Sequence, residues 1–166
     1  MFDRVQHFET WGGEFLTSGL AGLMEVIGGN LQSLHLCHVE EISSDSIVQI
    51  SQNCRNLNTL IFENCSFCSE EDISEESLET KNSKVPLLLE LRVFKVISSM
   101  PLNLVFMILR RSLNIQTIEM DGDIEMADED IIKLLEDNSL AKLENLLVYA
   151  SRFNFSKIIE IIKFKC

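Results

Sequence analysis

Two hydrophobic periods alternate along this chain. Leu31, Leu34 and Leu36 form an L-x-x-L-x-L run, and Leu57, Leu60 and Phe62 repeat it 26 residues later. Between them Ile47, Val48 and Ile50 make a stripe with helical spacing, with Ser43 or Ser44 as a cap and an end near Cys54. The short run predicts a strand whose alternate side chains face opposite ways, so Ser33, His35 and Cys37 point away from the leucines. Strand then helix, at a near-constant period, is the recurring unit.

The same unit extends in both directions. Val5, Phe8 and Thr10 fall at the matching offset of 26, and Leu20, Leu23, Met24 and Ile27 predict a helix capped by Thr17 or Ser18. Gly28 and Gly29 are expected to stop that helix through positive φ. After the third unit, residues 68–84 carry six acidic residues and only Ile73 and Leu78 as large apolar ones, which predicts a solvated loop insertion. Val85-Pro86 restarts the pattern, with Leu88, Leu91 and Val93 as strand core, 31 residues after Leu57. Pro101 opens a helix continued by Leu102, Val105, Ile108 and Leu109, with Arg110 and Arg111 at its negative end. Ile115, Ile118 and Met120 form the next strand, and Ile131, Leu134 and Leu135 a helix that starts at Asp128-Glu129-Asp130 and stops at Asn138. Leu143, Leu146 and Val148 form the last strand, and Ile158, Ile161 and Ile162 the last helix. Cys166 stands where Cys54 stands before Leu57, so the pattern predicts a further unit: the chain is expected to be a truncated product, a fragment of a longer array, or one whose end pairs with something.

A strand-plus-helix period of this length is the signature of a leucine-rich repeat. Cys54-Arg55-Asn56-Leu57-Asn58-Thr59-Leu60-Ile61-Phe62-Glu63-Asn64-Cys65 resembles the cysteine-containing subclass found in F-box/leucine-rich-repeat proteins and their ribonuclease-inhibitor-like relatives. The resemblance implies one domain over residues 1–166: an α/β right-handed horseshoe solenoid of five to six repeats. A parallel β-sheet would line its concave face and α-helices its convex face. In F-box members such repeats hold substrates for a ubiquitin ligase while a separate F-box docks Skp1. Residues 1–30 carry no F-box pattern, so Skp1-cullin machinery would be reached only through an F-box outside this chain. The units at Ile115 and Leu143 lack the cysteine after the strand, with Asp123 and Ser151 near that place.

Charge narrows the partner. A net charge of −12 argues against nucleic acid and against anionic membranes, both of which need Lys and Arg. No apolar run approaches the ~18 residues of a membrane span, and the N-terminal residues lack a secretory layout. Five cysteines without an export signal read as free thiols in the cytoplasm or nucleus.

These features lead to a non-catalytic protein–protein interaction module that binds a protein on the concave face. Alternation places His35, Ile61, Glu63, Arg92, Phe94, Glu119, Asp121, Leu147 and Tyr149 there, and aromatic and Arg side chains are typical hot spots. The alternative is a free-standing scaffold unrelated to ubiquitination. Ser69 and Ser74, each followed by acidic residues, are candidate phosphorylation sites. Cys65-Ser66-Phe67-Cys68 has the spacing of a zinc or redox pair, with His35, Cys37 and His38 as the only nearby second ligands; no metal or cofactor is assigned, and a zinc or redox protein using this pair is the third alternative. No phosphate-binding glycine loop and no nucleophile motif beside a histidine occurs, so no enzyme is expected.

Overall fold

A computed structural model of the chain describes residues 4–13, 17–68, 87–122 and 140–149. Among them six strands form one parallel sheet: β1 (His7–Gly13), β2 (Ser33–Val39), β3 (Thr59–Glu63), β4 (Val93–Ile97), β5 (Thr117–Asp121) and β6 (Asn145–Tyr149). Each strand pairs with the next in sequence. Three α-helices accompany them, α1 (Thr17–Ile27), α2 (Ser44–Asn53) and α3 (Leu102–Leu109). The chain is therefore an α/β protein with a single open sheet.

The core lies between one face of the sheet and the helices. From the sheet come Leu34, Leu36, Leu60, Phe62, Phe94, Val96, Ile118 and Met120; from the helices come Leu20, Met24, Ile47, Ile50, Val105 and Ile108. The expected strand cores at Leu31, Leu57 and Ile115 are all buried. Thr10, the polar residue in an apolar place, is buried too, and its hydroxyl donates to the Cys37 carbonyl at 3.2 Å, which removes the penalty of an unpaired buried oxygen. Ser43 caps α2 in a reciprocal box with Ser46, as its position predicts.

One backbone arrangement recurs at every strand. The Gln6 carbonyl accepts from the amides of Gln32 and Ser33, and the Gln32 carbonyl from Asn58 and Thr59. Asn58 accepts from Arg92 and Val93, Arg92 from Gln116 and Thr117, and Gln116 from Glu144 and Asn145. Just upstream, a tight turn closes from Leu31 to Gly28, Leu57 to Cys54, Leu91 to Leu88, Ile115 to Ser112 and Leu143 to Leu140. These bonds define the register independently of side-chain identity.

They also correct the reading of the fourth strand. Leu88 occupies the turn position of Cys54, and Leu91 that of Leu57. Thr59 pairs with Val93 and Leu60 with Phe94, so the core residues are Leu91, Phe94 and Val96. The L-x-x-L spacing is met by both Leu88–Leu91 and Leu91–Phe94, and pattern alone selects the earlier pair. Partner-to-partner offsets along the sheet are 26 (His7 to Ser33), 26 (Ser33 to Thr59), 34 (Thr59 to Val93), 24 (Val93 to Thr117) and 28 (Thr117 to Asn145).

Helix ends differ from expectation in two ways. Thr17 and Ser18 lie inside α1 rather than capping it. Gly28 and Gly29 sit in a 3-10 turn (Gly28–Asn30), and neither is among the positive-φ glycines. Gly28 is needed for room: a Cβ there would lie 3.0 Å from both the Asn53 carbonyl oxygen and the Cys54 sulfur. Most of the acidic insertion at 68–84, the helix expected from Asp128, the last helix with Cys166, and the candidate phosphorylation sites Ser69 and Ser74 lie outside the described residues.

Candidate functional site

The sheet face opposite the helices, the far face, collects the side chains that alternation turns away from the core. Its first row is His7, Ser33, Thr59, Val93, Thr117 and Asn145. The second is Glu9, His35, Ile61, Lys95, Glu119 and Leu147, and the third Trp11, Cys37, Glu63, Ile97, Asp121 and Tyr149. Seven of the nine expected residues stand here: His35, Ile61, Glu63, Glu119, Asp121, Leu147 and Tyr149. Two do not. Phe94 is fully buried on the core side, edge-on to Phe62 with ring centroids 6.4 Å apart. Arg92 precedes the strand, and its carbonyl belongs to the backbone ladder. Lys95 and Ile97 take the far-face places assigned to them.

Glu9 and Trp11 were missed although the offset of 26 from His35 and Cys37 points to them. The weak first copy of the repeat hid them. Both matter to the geometry. His35 Nδ1 lies 3.1 Å from Glu9 Oε1, and its Nε2 lies 2.9 Å from Glu63 Oε2, so one ring is bracketed by carboxylates from both neighbouring strands. The Trp11 ring, 72% exposed, stands edge-on to His35 at 6.5 Å. Beneath them Cys37 is completely buried, although every other member of its row is exposed or half-buried. Burial, then the Glu63 and Glu9 carboxylates, push its thiol above the usual range. Lys95 pairs with Glu119 further along the face.

The two thiols of the Cys-x-x-Cys bond to different carbonyls. The Cys65 thiol donates to the Leu36 carbonyl at 3.2 Å and the Cys68 thiol to the Glu41 carbonyl at 3.4 Å. Cys65 is buried, and its backbone N–H donates to the Ser98 hydroxyl at 2.9 Å. The four described cysteines are free thiols. At the opposite end of the strands a polar depression of about 400 Å³ opens, with Gln32, Asn56, Asn58 and Glu90 in its lining. Among the described residues, His7 and Glu90 are the titratable members of that lining.

No protein-family model matches the chain, and no curated protein matches it either. Among the described residues no helix is long and apolar enough to cross a membrane.

Proposed function

We propose that this chain is a leucine-rich-repeat module that binds a protein partner along the far face of its sheet. The observation that carries the reading is the company kept on that face: Trp11 at 72% exposure, Tyr149 at 55% and Leu147 at 38% share it with Glu9, Glu63, Glu119 and Asp121. Large apolar and aromatic side chains held on a rigid sheet are the usual anchors of an interface. The repeat assignment draws support from the recurring carbonyl ladder and from matching asparagines: Asn56 donates to the Gly29 carbonyl and Asn114 to the Leu89 carbonyl, at 2.7 and 2.6 Å.

Charge selects the kind of partner. Two of the basic groups of the face, His35 and Lys95, are matched by carboxylates, and the chain carries −12 overall. A basic, extended protein segment with aromatic or aliphatic anchors complements it; nucleic acid is repelled. Free thiols suit a reducing compartment, cytoplasm or nucleus. The resemblance of residues 54–65 to F-box/leucine-rich-repeat proteins makes substrate recognition for a ubiquitin ligase the finer form of this proposal, with a scaffold independent of ubiquitin as the other.

Selection of displayed peptides on the purified chain tests it. Lys/Arg-rich sequences are expected, with binding weakened by salt and by Trp11→Ala or Tyr149→Ala by roughly 10-fold or more. Binding indifferent to both substitutions would remove the far face from consideration. Co-purification with Skp1 and a cullin separates the ligase form from the scaffold.

A further inference from the structure

We infer that His35, Cys37 and Glu63 form a binding site for a thiophilic divalent cation, Zn²⁺ foremost, with Glu9 holding the histidine in place from behind. The ligand atoms of the three residues all lie within 4.8 Å of one another, and they come from two paired strands in fixed register. A tetrahedral zinc ion with the usual bond lengths holds its nitrogen, sulfur and oxygen ligands roughly 3.4–3.6 Å apart. Side-chain rotations of less than about an ångström bring this set to that spacing.

The hydrogen bonds of His35 favour a cation. A neutral imidazole carries one N–H. Donated from Nδ1 to Glu9 Oε1 at 3.1 Å, it leaves a lone pair on Nε2 facing the Glu63 Oε2 at 2.9 Å. Two electron pairs aimed at each other call for a positive centre between them: a proton at the 2.9 Å spacing of the metal-free chain, or a metal ion once the two atoms part by about 0.5 Å. The carboxylate–histidine–metal arrangement is how metal-ligating histidines are commonly oriented, the outer carboxylate fixing the tautomer and raising ring basicity. Glu9 stands where that carboxylate belongs.

Cys37 completes the set. It is the one fully buried residue in its far-face row among the described residues, lying between Trp11 and Glu63. As a thiol it gains little there. As a thiolate beside two carboxylates it would create a concentration of negative charge that a divalent ion neutralises, the thiol giving up its proton as the metal binds. A mixed sulfur, nitrogen and oxygen set suits zinc better than the hard cations calcium and magnesium. His35 and Glu63 remain partly exposed, at 19% and 30% of their side chains, so the fourth position faces outward and is open to water. This site does not depend on the partner-binding reading.

Titration of the metal-free full chain with Zn²⁺, and with Co²⁺ as a spectroscopic probe, tests it. One equivalent of Co²⁺ is expected to give a thiolate-to-cobalt charge-transfer band and the d–d intensity of a tetrahedral site. Cys37→Ser abolishes the charge-transfer band, while Cys65→Ser and Cys68→Ser keep it. Glu63→Gln and His35→Ala each abolish stoichiometric Zn²⁺ binding, and Glu9→Gln weakens it by about 10- to 100-fold. Far-ultraviolet circular dichroism on each variant separates loss of a ligand from loss of fold, and Glu9→Gln, which removes no ligand, supplies a second reading. The proposal is overturned if the folded chain binds no stoichiometric Zn²⁺, or if the band survives Cys37→Ser and disappears with Cys65→Ser or Cys68→Ser.

Discussion

The two ends of the far face use one backbone geometry for different chemistry. At the β1–β3 end, polar groups are spent on each other: Glu9 and Glu63 hold His35, Trp11 stands against its ring, and a buried thiol lies below. At the β5–β6 end, Leu147 and Tyr149 are offered to solvent, and Asp121 pairs in register with Tyr149. Equivalent strand positions thus carry a polar cluster beside an exposed Trp11 at one end and exposed Leu147 and Tyr149 at the other. The scaffold sets where a side chain points; only its identity decides whether it is used internally or left for something else.

The largest effect should come from the layer that both ends share. Phe94→Ala removes a fully buried ring beside Phe62 and is expected to cost about 3–5 kcal/mol in urea unfolding. A cost under about 1 kcal/mol would return Phe94 to the far face and dissolve the contrast between the faces. Next in size is a pH dependence carried by a thiol of the first half. Burial pushes the Cys54 thiol up to about 12, against an ordinary value of 9.0. Below the unfolded value both states keep the proton and the stability is intact. Between about pH 9 and 12 the unfolded chain loses it first, so stability falls by up to about 1.4 kcal/mol per pH unit. Cys54→Ala should reduce that slope in urea titrations at stepped pH, whatever it does to the absolute stability, with the raised Cys37 and Cys65 thiols keeping part of it.

Smaller differences bear on the face itself. Glu63→Gln, which disturbs the bracketed histidine, is expected to destabilise by about 0.5–1.5 kcal/mol, and Glu119→Gln, which leaves a partly exposed Lys95 without its carboxylate, by less than about 1 kcal/mol. Equal values would mean that the cluster at the β1–β3 end is no tighter than an ordinary surface pair. Tyr149→Ala should leave stability within about 0.5 kcal/mol while weakening a bound basic segment, and a larger loss of stability would make Tyr149 part of the fold rather than of an interface.

How much of this was legible follows from what pattern can resolve. Leu31, Leu34, Leu36, Leu57, Leu60 and Phe62 were readable because period two and the 26-residue offset agree, and all are buried. Alternation then placed His35, Glu63, Leu147 and Tyr149 correctly. The slip at Leu88 arose where Leu88, Leu91 and Phe94, each three residues apart, gave two acceptable registers, and the tie is broken by backbone amides that carry no side-chain signal. Glu9 and Trp11 escaped because Thr10, a hydroxyl satisfied by a carbonyl 27 residues away, broke the apolar rule. The pairing of Glu9, His35 and Glu63 is a three-strand property, invisible until the register is known.

The uneven offsets between strands carry a thermodynamic lesson. Extending one connection from 26 to 34 residues lengthens the loop that must close before β4 can join, and closure entropy grows only with the logarithm of length. The added cost is about 0.2 kcal/mol, less than one exposed ion pair contributes. Because each strand is recruited by its immediate predecessor, that small cost stays local and is not compounded along the sheet. The connection between β3 and β4 can therefore take up added length at little entropic cost, while Cys65 at one end and Leu88 and Leu91 at the other stay tied to the core.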